Sequence, residues 1–342
     1  MIDFCSLNYQ QVQRLFADLG QPKFRVDQFL AWVYAKGCLD MDAYTNVSKE
    51  LRSLLRETIH FPRYTIESVQ HSRVDNTRKI LLRFPDGHAV ETVLIPVHSK
   101  LSQCLSTQVG CKMGCTFCAT ASMGFKRNLS VSEILAQAFA AREIIEPHER
   151  VGNFVFMGMG EPLDNYENSI AAIKTIIHPQ MMGYSHRHVT LSTCGILKGI
   201  RRLSREELPC NLAISLHAVN DEQRSFLMPV NRADGLHALM QTLREFPLSS
   251  KKVITIEYLL IRDFNDSTDD AKKLLQLLRG LRCKVNLIVY NPHDYADYHA
   301  PDEKRVLQFQ RILAEKGVMT FIRKSGGSDI DAACGQLAGK SS

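Results

Sequence analysis

The chain has 342 residues, of which 45% are hydrophobic, and its formal net charge is +6. This length allows one large domain and a smaller one. No apolar run approaches the roughly 20 residues of a membrane span. The first residues, MIDFCSLNYQ, resemble neither a signal nor a transit peptide. We therefore expect a cytoplasmic protein without a membrane partner, in which the ten cysteines are reduced thiols.

The basic residues cluster in three short stretches, GFKRNL, SHRHVT and GIRRLSR. Such clusters suit contacts with the phosphates of a nucleic acid, and they suit a solvated basic face equally well. A net charge of +6 is too mild to decide between these alternatives. Charge alone therefore leaves the nature of the partner open.

Residues 1–62 have apolar residues at helical spacing. One series ends before Gly20 and a second ends before Gly37, and glycine commonly ends a helix. We therefore predict a small helical module. The apolar residues are Leu7, Val12, Leu15, Phe16 and Leu19, followed by Val26, Phe29, Leu30 and Val33.

Over residues 63–97 the pattern changes to strand-like alternation. Three stretches alternate apolar and polar residues, namely RYTIESVQ, RKILLRF and AVETVLIP. The sequence PDG supplies a turn between the last two. We predict a short antiparallel β element.

Over residues 98–338 strand-like segments alternate with helical segments. The predicted strands are CLSTQVG, NFVFMGMG, HVTLSTCG, CNLAISLH, KVITIEYLLI and KVNLIVYNP, and the main predicted helices are 131–146, 165–177, 233–246, 268–281 and 302–316. This alternation predicts a parallel sheet with crossover helices. Six strands are fewer than the eight of a closed barrel. We therefore predict an α/β fold with a partial (β/α)6 barrel, followed by a disordered tail at 339–342.

Glycine or polar residues occur at the carboxyl ends of several predicted strands. In parallel α/β folds, ligands bind at that edge of the sheet. Any one of these residues could simply cap a strand, but their convergence indicates a ligand site. The residues are Gly160, Glu161, Ser192, Ser215, His217 and Asn291.

A loop after the first predicted strand contains Cys111, Cys115 and Cys118, spaced as Cys-x-x-x-Cys-x-x-Cys. A structural zinc site usually has four ligands, often from two Cys-x-x-Cys pairs, and the chain has no second pair. A 4Fe–4S cluster normally takes four cysteines. Three cysteines would leave one iron open to a substrate, so this spacing favours a cluster, with a zinc module as an alternative.

This spacing, with the aromatic Phe117 before the last cysteine, resembles the signature of the radical S-adenosylmethionine (SAM) superfamily. The resemblance implies a cluster held by the three cysteines, whose open iron binds the amino and carboxylate groups of SAM. Reductive cleavage of SAM then gives a 5′-deoxyadenosyl radical. The stretch MGMGEP resembles the Gly-Gly-Glu strand of the superfamily. The positions that match its SAM contacts are Gly160, Glu161, Ser192, Ser215, Leu216, His217 and Asn291.

A more specific resemblance covers about residues 7–338. It is carried by STQVGCKMGCTFCATASMGFKRNLSVSEI, VFMGMGEPLDN, VTLSTCGI, AISLHAVND, MPVN and DIDAACGQLAG, which are similar to the RlmN/Cfr methyltransferase family. GEPLDN and GFKRNL resemble the RlmN branch. The resemblance implies methylation of carbon 2 of an adenine in the peptidyl transferase centre of 23S rRNA and of adenine 37 in some tRNAs. It also implies that the helical module helps to bind RNA.

Carbon 2 of adenine is electron-poor, so it is no nucleophile for a polar methyl transfer. A covalent relay through the protein avoids this problem. The resemblance places the methyl carrier at Cys334 and the resolving thiol at Cys104. It implies a transient disulfide between these two cysteines, which a reductant then opens. From the residues alone, Cys334 beside Gly335 also suits a buried structural thiol.

The resemblance assigns the role of proton acceptor to Glu91. Strand alternation places Glu91 on the same face as Ala89, Val93 and Ile95. A carboxylate on such an apolar face would lose hydration, which favours proton uptake and suits a base. Without the resemblance, an exposed strand glutamate is the ordinary interpretation.

The resemblance thus implies one 4Fe–4S cluster with three cysteine ligands and two SAM molecules per turnover. It implies 23S rRNA and tRNA substrates and an electron donor such as flavodoxin or ferredoxin, and we expect a monomer. A close alternative is a Cfr-type enzyme that methylates carbon 8 of adenine. Further alternatives are an RNA-binding sensor with a non-catalytic Fe–S cluster, and a zinc module.

Overall fold

The computed structural model describes residues 1–206 and 210–339. Its helices are α1 (Tyr9–Asp18), α2 (Lys23–Leu30), α3 (Lys49–Thr58), α4 (Ala119–Ser122), α5 (Val131–Ile144), α6 (Tyr166–Ile177), α7 (Leu197–Leu203), α8 (Asp221–Leu227), α9 (Asn231–Arg244), α10 (Thr268–Leu277) and α11 (Glu303–Ala314). Its strands are β1 (Ile2–Asp3), β2 (Ile59–His60), β3 (Thr65–His71), β4 (Arg78–Arg83), β5 (Ala89–Val97), β6 (Lys100–Cys104), β7 (Gln108–Val109), β8 (Arg127–Asn128), β9 (Val151–Phe156), β10 (Val189–Thr193), β11 (Asn211–Ser215), β12 (Ile254–Leu260), β13 (Cys283–Val289) and β14 (Thr320–Arg323). In this part of the chain no helix is both long and apolar enough to cross a membrane.

Ten strands form one sheet, in the order β14-β13-β12-β11-β10-β9-β6-β5-β4-β3. The pairs from β6 to β14 are parallel, whereas β3, β4, β5 and β6 pair antiparallel. Helices connect the parallel strands, so the predicted α/β fold with a mainly parallel sheet is confirmed. The antiparallel strands extend this sheet instead of forming a second one.

The parallel strands differ from the prediction at both ends of the series. The first one is Lys100–Cys104 and not CLSTQVG, because Gln108–Val109 pairs with Arg127–Asn128 in a separate small sheet. The six β/α units are followed by a seventh parallel strand, Thr320–Arg323, at the edge of the sheet. Four residues are too few for an alternating pattern to be recognised in the sequence.

Helix α5 begins at a capping box that Ser130 and Glu133 form. The Glu133 N–H donates to Ser130 Oγ at 3.2 Å, and the Ser130 N–H donates to the Glu133 carboxylate at 2.8 Å. Ten of its fourteen residues are buried, because it packs against α6, β4 and the N-terminal residues Phe4–Ser6. Arg142 adds a hydrogen bond of 2.5 Å to the carbonyl of Tyr34. The helix therefore joins the N-terminal helices to the sheet.

The N-terminal helices pack around a cluster of aromatic rings with Phe29 at its centre. The Phe29 ring centroid lies 5.0 Å from that of Phe4, 5.5 Å from that of Phe16 and 5.4 Å from that of Tyr44. These separations are typical of favourable edge-to-face and tilted aromatic pairs. Phe24 lies on the same helix but is 53% exposed, so only one face of α2 is buried.

After β14 the chain runs back over the interior of the sheet. We call residues 325–339 the C-terminal segment. Its Gly327 N–H donates to Asp75 Oδ2 at 2.9 Å, and Asp75 lies in the loop that precedes β4. The four residues from Arg323, at the end of β14, to Gly327 span at most about 14 Å. In a flat sheet β14 and β4 would be eight strand spacings apart, or about 38 Å. The sheet is therefore curled, and the segment bridges its two ends.

The end of the described chain differs from the prediction of a disordered tail at 339–342. Gly339 belongs to the docked C-terminal segment, because its N–H donates to Glu91 Oε2 at 3.0 Å. The prediction is therefore wrong at Gly339. Residues 340–342 lie outside the described residues.

We predict that Phe29→Ala lowers the free energy of unfolding by about 3–5 kcal/mol, the usual cost of emptying a fully buried aromatic position. Phe24→Ala on the same helix is the matched control and should change it by less than about 0.5 kcal/mol, because Phe24 is mostly exposed. Urea unfolding followed by circular dichroism measures both values. Equal effects of the two substitutions would contradict this account of the aromatic cluster.

Candidate active site

A cavity of about 390 Å³ lies at the carboxyl ends of the parallel strands. This volume is within the range of small-molecule and cofactor sites. Most residues that the sequence singled out line it together, although they come from separate strands and loops. Those that line it are Cys104, Cys111, Cys115, Cys118, Gly160, Glu161, Ser192, Ser215, His217 and Cys334.

The three cysteines at 111, 115 and 118 lie on one wall of the cavity as free thiols. Burial raises the pKa of Cys111 to about 12, and burial together with the two neighbouring thiols holds the pKa of Cys115 well above its usual value. A group of positive irons would offset this cost and hold the sulfurs as thiolates. In the described residues no three His, Cys, Asp or Glu side chains converge as ligands of a single ion would. Three cysteine thiols on one cavity wall are the type of ligand that an iron–sulfur cluster takes, so these residues fit such a group.

The backbone of this cysteine loop is anchored on two sides. The Thr116 N–H donates to the carbonyl of Leu227 at 3.0 Å, which ties the loop to the end of α8. The Ala119 N–H donates to the carbonyl of Gly335 at 2.7 Å, which ties it to the C-terminal segment. The loop and the segment that carries Cys334 are therefore directly connected.

Gly160 occupies a position that admits no side chain. Its φ is +96°, and an added Cβ would lie 2.5 Å from Gln108 Cβ and 2.8 Å from the backbone nitrogen of Gln108. Glu161 follows it and is almost fully buried. Its Oε1 accepts the Leu163 N–H at 3.0 Å and its Oε2 accepts the Cys194 N–H at 2.8 Å. Burial raises the pKa of Glu161, and these N–H groups oppose the rise.

Ser192, Ser215 and His217 come from the ends of β10 and β11. His217 is buried in a left-handed conformation, with φ of 60°. Its Nδ1 lies 3.0 Å from the Leu259 backbone nitrogen, which donates to it. Burial lowers the pKa of His217 to about 3, so the ring is neutral near pH 7 and carries its proton on Nε2. The site thus contains a neutral imidazole donor.

Two predicted contact residues have side chains that do not line the cavity. Leu216 is buried in the hydrophobic core, and its N–H donates to the carbonyl of Glu257 at 3.0 Å. Asn291 Nδ2 donates to Ser325 Oγ at 2.9 Å, and Ser325 lines the cavity. Asn291 therefore supports the start of the C-terminal segment.

Cys104 and Cys334 lie far apart in the sequence but face the same cavity. Cys104 ends β6 and is buried, whereas Cys334 is half-buried in the C-terminal segment. Burial raises the pKa of Cys104 to about 12, the nearby Cys334 adds to this rise and Arg323 opposes it. The fold thus brings together the two thiols that the family resemblance pairs.

Glu91 lies on the same face of β5 as Ile95, as predicted, and Ile95 lines the cavity. Glu91 itself is only 2% exposed. The expectation of an apolar environment is wrong, because Lys79 Nζ lies 3.1 Å from Glu91 Oε1. The Ala338 N–H also donates to Glu91 Oε2 at 2.8 Å. The carboxylate is therefore held next to the cavity by a cation and by the C-terminal segment.

Three charged residues of the cavity are absent from the sequence prediction, namely Glu257, Arg323 and Lys324. Arg323 Nη1 lies 3.5 Å from Met157 Sδ, so the side chain reaches across the interior from β14. Glu257 Oε1 accepts from Asn286 Nδ2 at 3.0 Å, while its Oε2 has no hydrogen-bond partner among the described residues. The sequence could have indicated Glu257, because it is the single acidic residue within the apolar strand ITIEYLL.

Arg224 is a further buried residue that the sequence did not reveal. Its Nη2 donates to the carbonyl of Cys194 at 2.6 Å and to that of Ser215 at 3.2 Å. Its Nε donates to the carbonyl of Leu216 at 3.2 Å. These carbonyls follow or end β10 and β11, so Arg224 fixes the two strand ends that present site residues.

The curled parallel sheet, with a three-cysteine loop at its carboxyl edge, defines the radical SAM fold. A family model described as "Radical SAM superfamily" matches residues 105–278. A second, described as "Ribosomal RNA large subunit methyltransferase N-terminal domain", matches residues 2–60. The chain belongs to the RlmN family within this superfamily, as its curated relatives show.

Proteins named "Dual-specificity RNA methyltransferase RlmN" match almost the whole chain. The protein from Syntrophotalea carbinolica is 44% identical over 99% of this chain and 90% of its own length. That from Nautilia profundicola is 45% identical over 94% of each chain. A crystal structure of a radical SAM methyltransferase from Sphaerobacter thermophilus is 38% identical and covers 99% of this chain and 100% of its own, with a TM-score of 0.94.

We predict that Gly160→Ala destabilises the protein more than Gly124→Ala, as measured by thermal unfolding. Both positions have positive φ, so both substitutions strain the backbone by about 1–3 kcal/mol. Only at Gly160 does the new methyl group also collide with backbone and side-chain atoms of Gln108, whereas nothing lies within 4 Å at Gly124. An equal loss of stability in the two variants would contradict the close approach at Gly160.

Proposed function

We propose that this protein is a radical SAM methyltransferase that methylates carbon 2 of one adenine in the peptidyl transferase centre of 23S rRNA, and of adenine 37 in some tRNAs. The names of its relatives support an RNA substrate of two kinds. The observation that carries the proposal is the meeting of two distant thiols, Cys104 and Cys334, in the cavity of the three-cysteine loop. A purely RNA-binding Fe–S sensor would have no use for this pair.

Cys111, Cys115 and Cys118 are proposed to hold one 4Fe–4S cluster through three thiolates. Bound at this site, the cluster and two SAM molecules per turnover supply a methyl group and the radical that activates it. The residues proposed to hold SAM are Gly160, Glu161, Ser192, Ser215 and His217, which line the cavity. Leu216 and Asn291 belong to the same proposal, although their side chains do not line it. Glu161 suits the ammonium of the methionine moiety because it is a buried acid beside the cysteine loop.

Cys334 is the methyl carrier in this proposal. Its sulfur would take a methyl group from SAM in exchange for the thiol proton, and loss of one hydrogen atom to the SAM-derived radical would leave a carbon radical on that methyl group. This carbon adds to carbon 2 of adenine, so the protein and the RNA become linked through a methylene bridge. The position of Cys334 next to the cysteine loop supports this role, through the 2.7 Å hydrogen bond between the Ala119 N–H and the Gly335 carbonyl.

Two other residues release the product. The radical adduct would return one electron to the bound cluster, and Glu91 takes the proton from carbon 2, which restores the aromatic ring. The Cys104 thiolate then attacks the sulfur of Cys334 and breaks the sulfur–carbon bond. The electron pair stays on the methylene carbon, which takes up a proton and becomes the methyl group, while Cys104 and Cys334 form a disulfide.

Arg323 supports the attack by Cys104. A buried thiol with a pKa of about 12 offers little thiolate near neutral pH. Arg323 lines the same cavity, and its charge acts against this rise. The nearby thiols in turn raise the pKa of the Arg323 guanidinium, the effect of Cys334 being the largest. The residue therefore stays charged where a thiolate has to form.

The proposal also assigns the parts of the chain. Residues 1–62 are an RNA-binding module, residues 63–97 an antiparallel extension and residues 98–338 the partial (β/α)6 barrel. The match of residues 2–60 to a ribosomal RNA methyltransferase N-terminal domain supports the first assignment. The enzyme acts as a monomer with an electron donor such as flavodoxin or ferredoxin. Carbon 8 methylation of the Cfr type is not favoured, because the relatives carry the RlmN name.

We predict that Cys115→Ala removes both the broad visible absorption of the anaerobically purified protein and its methylation activity, because two thiolates hold a 4Fe–4S cluster poorly. Cys194→Ala is the control, since Cys194 is a buried thiol of the same cavity that lies outside the motif. It should retain the absorption. A coloured and active Cys115→Ala protein would exclude this loop as the ligand set.

We predict that Cys104→Ala accumulates the methylene-linked adduct between Cys334 and RNA, because nothing then breaks the sulfur–carbon bond. The adduct appears on a denaturing gel as a shifted, nuclease-sensitive band with labelled RNA. Cys334→Ala and the double variant should give no band, and Cys210→Ala, a buried thiol outside the cavity, should turn over normally. Normal turnover of Cys104→Ala without a trapped species would refute the relay.

A further inference from the structure

Lys79 forms a buried ion pair with the proposed base. The register of β4 and β5 pairs Lys79 with Val93 and Leu81 with Glu91, so Lys79 and Glu91 are diagonal neighbours on one face. Their charged atoms lie 3.1 Å apart, and the two residues are 9% and 2% exposed. Such a pair is costly to bury and costly to break, since removal of one partner leaves an uncompensated charge.

Both residues also contact the C-terminal segment. Lys79 Nζ donates to the carbonyl of Asp331 at 3.3 Å. The N–H groups of Ala338 and Gly339 donate to Glu91 Oε2 at 2.8 and 3.0 Å. The ion pair thus lies directly under the segment that carries Cys334.

Among the described residues, the other hydrogen-bond partners of Glu91 are uncharged. Its backbone N–H donates to Met159 Sδ at 3.3 Å, and its carbonyl accepts the Ser106 hydroxyl at 2.6 Å. The side chain of Asp331, on the segment above, is exposed. Among the described residues, Lys79 is the only side chain in an ion pair with Glu91.

We propose that Lys79 is a positioning residue for the removal of the proton from adenine: its ammonium keeps the Glu91 carboxylate ionised and oriented until the adduct forms. This inference rests on the proposed function. Loss of the cation would leave a buried carboxylate without a counter-charge, which favours its protonated form. It could then accept no proton from carbon 2, and the adduct would persist. Rising pH would restore the ionised form and the reaction.

The test uses the full-length protein with reconstituted cluster, SAM and unmodified RNA fragments. Lys79→Met should still methylate Cys334, which mass spectrometry of the protein detects, and should accumulate the RNA adduct at pH 7. Release of the isolated adduct should be at least about tenfold slower than in the parent protein, because the general base is impaired. It should recover as the pH rises. Lys79→Gln tests the same prediction with a polar side chain if Lys79→Met fails to fold.

Three further variants separate this role from others. Glu91→Gln has no carboxylate at this position and should release its adduct slowly at every pH. Any pH dependence that remains in this variant measures the ionisation of Cys104 and is subtracted from that of Lys79→Met. Lys79→Arg keeps the positive charge and should restore release. Arg78→Met is the matched control, because Arg78 is the buried neighbour on β4 and pairs with Glu149 at 2.6 Å instead. It should trap no adduct.

Release at the parent rate from Lys79→Met would overturn the inference. Loss of Cys334 methylation in both Lys79→Met and Lys79→Gln would also overturn it, because Lys79 would then only dock the C-terminal segment. A slow release that does not respond to pH would exclude control of the Glu91 charge. Absence of any adduct in Cys104→Ala would instead refute the proposed relay itself, so the two failures are distinguishable.

Discussion

The hydrogen bonds between the C-terminal segment and the β4–β5 region organise the site. The segment leaves the edge strand β14 and reaches Asp75, next to β4, within four residues. This short connection requires a curled sheet, and curling brings the ends of seven parallel strands around one cavity. The same segment carries Cys334 and donates two N–H groups to Glu91. Fold closure and the placement of the reactive groups therefore depend on one stretch of chain.

The chemistry of the cavity follows from the burial of groups that are reactive when charged. Burial raises the pKa of Cys104 and of Glu161, so each needs a compensating partner to act as an anion. The chain supplies such partners in different forms, backbone N–H groups for Glu161 and a guanidinium for Cys104. Lys79 gives Glu91 the same kind of support. Each of these three groups is thus paired with a local donor or cation, which is the condition for charge in a low-dielectric site.

Sequence patterns were sufficient for the fold class, and most of the residues singled out by these patterns and by the family resemblance line one cavity. Alternation of apolar residues identified the parallel sheet and the facing of Glu91, because both follow from local periodicity. The edge strand Thr320–Arg323 was missed, since four residues carry no recognisable period. Lys79 and Arg323 were missed for a different reason. Their importance arises from contacts with residues distant in the chain, and a lone basic residue in a strand gives no indication of such a partner.

The central claim is that the transferred methyl group passes through Cys334 as a carbon radical. Incubation of unmodified RNA with SAM that carries a fully deuterated methyl group tests it directly, with mass spectrometry of the isolated nucleosides. In the relay, the methyl group on Cys334 loses one deuterium atom and later takes up one proton from solvent. The expected product is therefore 2-methyladenosine with two deuterium atoms in its methyl group. A methyl group with three deuterium atoms would show direct transfer and contradict the relay, and 8-methyladenosine as the main product would contradict the assignment to carbon 2.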